Sequence, residues 1–277
     1  MPMNSVNTNV GAMVALQNLN KTNSELNTTQ TRINTGLKVA SAKDNGAIWA
    51  IAQGQRAELG ALNAVSQSLA RGVAAVDVAL AAGESISDLL LQMKEKALAA
   101  TDASLSSAAR AALDEDFGAL RDQITQVTEN AVFNGVNLLE TGAAGFEALA
   151  NADGTSMMTV EAEVMALGSA NVTVTSTQAI SSSTAASAAL SAVTASIANV
   201  SGALARMGTQ SKALGAHVTF VSKLMDALEA GVGNLVDADL AKESARLQAL
   251  QTKQQLGVQA LGIANQAPQI LNSLFGR

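Results

Sequence analysis

The chain has 277 residues and is 48% hydrophobic, yet aromatic residues make up only 2% and tyrosine is absent. Its net charge is −6, from 17 basic and 23 acidic residues with no basic stripe, which argues against a nucleic-acid partner. Cysteine is absent, so disulfides, thiolate chemistry and thiolate metal sites are excluded. Prolines stand only at 2 and 268. An alanine-rich, proline-poor chain without an aromatic core reads as long, thin helices packed side by side.

The N-terminus, MPMNSVNTNVGAM, lacks a charged n-region and a continuous apolar stretch, so no cleavable secretory signal is expected. Met3, Val6, Val10 and Met13 keep a four-and-three spacing. The stripe then slips by one residue to Leu16, Leu19, Leu26 and Ile33. This predicts an amphipathic helix of roughly 30 residues, polar at several seam places and marginal alone.

Residues 32–52, RINTGLKVASAKDNGAIWAIA, interrupt the pattern with Gly36, Lys38, Ser41, Lys43, Asp44, Asn45 and Gly46, followed by the only tryptophan, Trp49. A lysine–aspartate pair in a glycine-flanked loop fits either a reaction centre or a joint. No other group in the chain supports a reaction centre, so the joint is preferred. Asp44 or Asn45 can cap the next helix, and Trp49 can anchor its base. Gly36, Lys38 and Asp44 are the candidates for contacts that fix register in an assembly.

A second rod covers 46–100 with a seam through Leu59, Leu62, Leu69, Val73, Val76, Leu80, Leu90, Met93 and Ala97, interrupted at Ser66, Gly83 and Ser87. TDASLSS ends it and supplies an N-cap for a third helix through Leu113, Phe117, Leu120, Ile124, Val127 and Ala131. FNGVNLLETG at 133–142 carries the turn signal Asn134-Gly135. MMTVEAEV and ANVTVTSTQAI alternate in β-branched residues and predict two or three short strands or a hairpin. SSSTAASAA then links to the longest seam, Ala186 to Leu235, with fourteen of fifteen positions apolar. The C-terminal stripe holds Leu247, Leu250, Leu261, Leu271 and Phe275, with Gln254, Gly257, Ala264 and Pro268 between. No run of about 18 apolar residues occurs, so no membrane span is expected.

The predicted fold is mainly α: long antiparallel rods in coiled-coil or bundle domains, with a small β-hairpin-rich insertion. The expected division is a terminal coiled coil at 1–33 and 243–277, a linker at 34–46 and 236–242, a helical bundle at 47–140 and 184–235, and a variable insertion at 141–183. The terminal seams have nothing else in the chain to cover them, which favours contacts between copies over a simple hairpin. The assembly residues are Val6, Val10, Met13, Leu16, Leu19, Leu26, Ile33, Leu247, Leu250, Leu261, Leu271 and Phe275.

Catalytic constellations are missing. The single histidine, His217, lies beside a seam position; it rules out H-E-x-x-H, and no G-x-S-x-G accompanies it. GVGN at 231–234 lacks a third glycine and a preceding strand, and no Walker-type loop is present. Asp114, Glu115 and Asp116 suit the first turns of a helix. Asp237 and Asp239 suit capping and do not fit a calcium loop. No cofactor or metal is expected. Thr155, Thr159, Thr173, Thr175 and Thr177 read either as strand and linker residues or as a region for O-linked sugar.

At the ends the sequence resembles a known family. LNKTNSELNTTQTRINTGLKVASAKDNGA at 19–47 resembles the N-terminal signature of bacterial flagellins, FNGVNLL at 133–139 their turn after the second long helix, and LVDADLAKESARLQALQTKQQLGVQALGIANQAPQILNSLF at 235–275 their C-terminus. The likeness covers about 1–140 and 190–277. It implies paired terminal helices that order on assembly, a spoke, a helical middle domain and a reduced outer domain. It also implies export unfolded through the flagellar type III apparatus, a chaperone on the C-terminal helix, and an extracellular filament shared with hook-associated junction and cap proteins and with other flagellins. LQMKEKALAA at 91–100 departs from the stretch read by the innate flagellin receptor: Glu95 matches, but Lys96 replaces a leucine and Gln92 an arginine, so weak or no receptor binding is expected. The rival readings are a hook–filament junction protein, which usually has a longer central region, and a chemoreceptor-like helical hairpin, which needs membrane spans or paired adaptation sites.

Overall fold

The computed structural model describes residues 8–275, with side chains to residue 266. The fold is mainly α. Five helices, α1 (Val10–Thr35), α2 (Gly46–Ala100), α3 (Ser107–Asn130), α4 (Ser183–Val236) and α5 (Leu240–Phe275), carry four short strands between α3 and α4. Each of the five helices begins at a polar cap. Asn9 Oδ1 accepts from Ala12 N, Asn45 Oδ1 from Ile48 N, Ser106 Oγ from Ala109 N, Ser182 Oγ from Ala185 N and Asp239 Oδ1 from Lys242 N. Each satisfies an amide that the first helical turn leaves without a partner.

Backbone contacts divide the chain into two units, Met1–Ala57 with Ala227–Arg277, and Glu58–Asp226. In the first, α1 and α5 run antiparallel. Asn9 Nδ2 donates to the Ala264 carbonyl at 2.7 Å, Gln254 Nε2 to Asn23 Oδ1 at 2.7 Å, and Arg32 Nη1 to Glu243 Oε1 at 3.2 Å. Gly257 admits Leu19, whose Cδ1 would lie 3.3 Å from a Cβ there. Polar side chains hold several of the buried places: Thr22 and Thr29 on α1, Glu243 on α5.

In the second unit α2 buries an unbroken four-and-three seam from Leu62 to Ala100, through Val65, Leu69, Gly72, Val76, Ala79, Gly83, Ile86, Leu90, Met93 and Ala97. The predicted seam shares Leu62, Leu69, Val76, Leu90, Met93 and Ala97. Its other three members, Leu59, Val73 and Leu80, lie half-buried on the flank. Small residues explain the shift. Gly72 faces the Phe146 ring and Gly83 faces Leu204 and Met165, so the close-packed side of the helix carries little side chain of its own. The α4 seam shows the same offset: Ala189, Ser196 and Ala203 are buried, while Leu190, Ile197 and Leu204 are half-buried.

The 133–183 region differs from the expected strands. β1 (Val132–Phe133) and β2 (Val136–Asn137) pair across the Asn134-Gly135 turn, where φ is 49° and 81°. β3 (Phe146–Leu149) pairs antiparallel with β4 (Met157–Val160), Phe146 opposite Val160. β4 begins within MMTVEAEV, but its partner is FEAL, not ANVTVTSTQAI. Residues 171–178 form no ladder among the described residues. Thr173 N instead donates to Ser196 Oγ and its Oγ1 to the Ala192 carbonyl, so a helix satisfies groups that a strand would have taken. Val172 and Val174 still alternate inward, which is the periodicity that suggested a strand.

The insertion packs as core. Ala148, Val160, Met165, Val172, Val174 and Ile180 are at most 1% exposed. Glu163 takes Arg206 of α4 in a two-pronged contact at 2.6 Å. His217 Nε2 lies 2.8 Å from the Ala150 carbonyl, which places the histidine in a structural contact.

One 18-residue window in α4 reaches a mean hydropathy of 1.5, so by length and composition this helix meets the measure for a membrane span, against the expectation that none would. Interspersed alanine and valine raise the average without a continuous apolar run. The stripe of Ala186, Val193, Val200, Met207 and Leu214 is spent inside the unit.

Candidate assembly interface

The terminal helices sort the expected assembly residues into two groups. Leu26 and Leu250 are buried, and Leu19, Ile33, Leu247 and Leu261 are half-buried, on the helix sides that carry Thr29 and Glu243. These serve the α1–α5 pairing. Val10 (54% exposed), Met13 (55%) and Leu16 (47%) lie away from it. Val6 and the side chains of Leu271 and Phe275 lie outside the described residues.

Five large side chains missing from the expected set join the exposed group: Val14 on α1, and Leu240, Leu256, Val258 and Ile263 on α5, the last 70% exposed. Val10, Met13 and Val14 stand at i, i+3 and i+4, and Leu256 and Ile263 two turns apart. Each terminal helix thus carries a second apolar stripe that its partner does not cover. On α1 the signal is the spacing of Met3, Val6, Val10 and Met13; on α5 Leu256 and Ile263 stand seven residues apart with only Gln259 and Ala260 at the seam places between them, which hid the stripe behind the leucine series.

The linker places Gly36, Lys38, Asp44 and Trp49 as follows. Gly36 terminates α1 with φ 72°, a conformation that glycine adopts at little cost. Its carbonyl accepts from Ala238 N at 2.8 Å. Lys38 N and Val39 N both donate to the Val236 carbonyl, and Leu37 forms an antiparallel bridge with Asp237. The two linker segments are therefore stitched together by their backbones. Lys38 contributes its amide, while its side chain is exposed.

Asp44 closes the loop: its Oδ2 accepts from Ala40 N, Ser41 N and Ser41 Oγ at 2.9–3.1 Å. The Ser41 and Ala40 donors, with help from the Arg32 charge, hold its carboxyl below the usual value. Asn45, not Asp44, caps α2. Trp49 is half-buried. A polar groove beside the loop is lined by Asn20, Asn23, Asn27, Thr31, Arg32 and Lys38 among others.

None of these groups is arranged as a nucleophile with a base. No cluster of three potential metal ligands occurs among the described residues. Asp114 accepts from Ile180 N at 2.6 Å and Asp116 from Lys96 Nζ at 2.6 Å, both structural uses. Asp102 is held below the usual carboxylate value by the Ser104 amide and hydroxyl. Arg206 is raised by the hydrogen bonds and charge of Glu163. Of the threonines, 155, 159, 173, 175 and 177 are all exposed. Thr155 Oγ1 accepts from Asn151, and Thr173 Oγ1 is engaged with α4.

Comparison with known proteins gives these surfaces their context. Residues 6–144 match the bacterial flagellin N-terminal helical region, and residues 190–275 the bacterial flagellin C-terminal helical region. Flagellin FljK of Caulobacter vibrioides is 56% identical over 275 residues, covering 99% of this chain and 100% of that protein. A flagellin of Brucella melitensis is 36% identical over 282 residues, covering 99% of each. Among solved structures, a putative flagellar hook-associated protein from Vibrio parahaemolyticus shares the fold, with a TM-score of 0.58 at 14% identity, over 70% of this chain and 100% of that one. Two matched terminal regions, together spanning most of the sequence, and full-length relatives well above 30% identity establish that this chain belongs to the bacterial flagellins.

Proposed function

We propose that this flagellin polymerises through the outward stripes of its terminal helices, Val10, Met13 and Val14 on α1 and Leu256 and Ile263 on α5. The chain is a structural subunit of the extracellular flagellar filament and not an enzyme. The observation that carries the finer reading is the exposure of these large apolar side chains on helices that are already paired with each other. Burying such stripes against further copies removes apolar surface from water at about 25 cal/mol per Å². A contact between two different faces, repeated without closing, builds an open helical tube.

The domain division follows the same logic. The terminal coiled coil at 1–33 and 243–277 is the assembling part, the segments 34–46 and 236–242 the spoke, and 47–140 with 184–235 the self-contained bundle. Export unfolded, a chaperone on α5, and junction and cap proteins at the filament ends belong to this reading, as does O-linked sugar on exposed threonines of the insertion. Weak or no innate-receptor binding fits Lys96, which is occupied by Asp116. A hook-associated role is less favoured, because the flagellins FljM and FljK match at 55% and 56% identity over 99% of this chain, whereas the hook-associated structure shares only 14%.

The test is the double variant Leu256→Gln/Ile263→Gln, followed by sedimentation of purified subunits. The critical concentration for filament formation is expected to rise at least tenfold, with monomer helicity unchanged. Polymerisation at the wild-type concentration would contradict the assignment.

A further inference from the structure

The sulfur chemistry of this chain belongs to methionine alone. Cysteine and tyrosine are absent, one tryptophan is present, and nine methionines are spread along the sequence. Burial sorts them. Met93, Met165 and Met207 are fully buried, and Met158 and Met225 are half-buried. Among the described residues only Met13 and Met157 are exposed. A buried thioether is shielded from a dissolved oxidant, and an exposed one is open to it.

Met13 is 55% exposed and stands on α1 between Val10 and Val14, which are 54% and 51% exposed. Gly11, two residues earlier, faces α5: a Cβ there would lie 3.9 Å from that of Ala264. Two residues turn a helix by about 200°, so Met13 projects from the opposite side of α1. Its thioether lies in the outward stripe, away from the α1–α5 pairing.

We infer that Met13 is a modification site that gates assembly: a two-electron oxygen-transfer oxidant such as hydrogen peroxide converts its thioether to the sulfoxide in the free subunit, and the modified chain is excluded from the filament. The inference rests on the filament reading above.

The step balances without help from the protein. A sulfur lone pair attacks one peroxide oxygen, the O–O bond breaks, an S–O bond forms and water leaves. Sulfur is oxidised by two electrons and the peroxide is reduced by two. No base, metal or second side chain is required. The product differs in kind from the thioether, because a flexible apolar side chain becomes a polar one. The sulfoxide oxygen is a strong hydrogen-bond acceptor, while Val10, Val14, Leu256 and Ile263 of the outward stripes carry no side-chain donor. In water the sulfoxide is hydrated, so the free subunit tolerates it. Buried against those stripes it loses that water and gains no partner, which opposes assembly. Assembly acts on the chemistry in turn. A stripe packed against further copies screens Met13, so filaments resist an oxidant that subunits do not. Met157 lies on β4, in the other unit, and has no place in the terminal stripes.

Peptide mass mapping after a hydrogen peroxide pulse, with added free methionine to gauge the dose, tests the site in the full chain. Met13 sulfoxide is expected to form at least tenfold faster in subunits than in filaments. Equal rates would overturn the inference. Peroxide-treated subunits are expected to show a critical concentration for filament formation raised about tenfold, with circular dichroism unchanged. Methionine sulfoxide reductases for both sulfoxide epimers, with a thiol reductant, are expected to restore it. Loss of helicity on oxidation would also overturn the inference, because damage to the fold would then explain the shift.

Attribution needs variants, since Met1 and Met3 lie outside the described residues. Each variant is compared with itself before and after peroxide. Met13→Leu is expected to show no shift, whatever its own critical concentration, and Met157→Leu to show the full shift. A full shift in Met13→Leu, or none in the unmodified chain, would refute the role of Met13. Polymerisation of Leu256→Gln/Ile263→Gln at the wild-type concentration would instead contradict the filament reading.

Discussion

Asp44 shows how one side chain can hold a joint without performing chemistry. Its carboxylate takes three donors from Ala40 and Ser41, and these hold its protonation below the usual range. A depressed folded value means the stabilisation is fully present above the unfolded carboxylate value, near 4, and is lost as pH falls through the folded one. The protection factors of the residue 38–46 amides, taken against the intrinsic exchange rate at each pH, are therefore expected to fall on acidification below about pH 4. In Asp44→Asn these protection factors are expected to be low already at neutral pH and insensitive to that drop. An unchanged acid response in the variant would exclude Asp44 as the cause. Glycines in α2 make a second comparison. A Cβ at Gly72 would lie 2.7 Å from the Phe146 ring, while Gly60 has open space. Gly72→Ala sets overpacking of about 1–3 kcal/mol against a helix-propensity gain of about 1, a net loss near 1 kcal/mol. Gly60→Ala takes the gain alone, up to about 1 kcal/mol. Denaturant unfolding measures both, and equal effects would show that the Phe146 contact is not tight.

The paired terminal helices and the three-helix unit differ in what holds them. The seam of α2 is buried over twelve successive positions, whereas α1 and α5 bury few side chains, several of them polar. Helices with so little shared apolar surface are marginal in isolation and depend on their pairing. Leu26 is 8% exposed and faces that pairing. Leu26→Ala is expected to cost about 2–4 kcal/mol locally. Hydrogen exchange should show α1 and α5 amides losing protection while residues 62–100 keep theirs. Protection lost equally in both places would mean the units are not energetically distinct. Long heptad repeats made these helices legible in the sequence, and Ser, Asn and Asp marked their starts. The exact seam was less legible, because alanine and glycine at 72, 79 and 83 carry close packing without any hydropathy signal. ANVTVTSTQAI misled for the opposite reason: its valines alternate as in a strand, yet Ser196 and Ala192 of α4 take the Thr173 hydrogen bonds.

For the molecule as a whole, the sequence motifs at the two ends identified the family, and the terminal stripes pointed to the region proposed to assemble. Which face of each stripe meets its own partner, and which is left for another copy, required coordinates: Leu26 and Val10 look alike in the sequence and lie on opposite sides of α1. The account's central claim is that the outward faces of α1 and α5 build the filament while residues 58–226 fold independently. Deleting 247–277 removes Leu256 and Ile263 and leaves Leu19 and Leu26 without their partner helix. Electron microscopy of the purified truncated chain, with circular dichroism on the same sample, measures both halves of the claim. The expected result is no filaments at any concentration and a spectrum that retains the helicity of α2, α3 and α4; filaments of normal width and length from the truncated chain would contradict it.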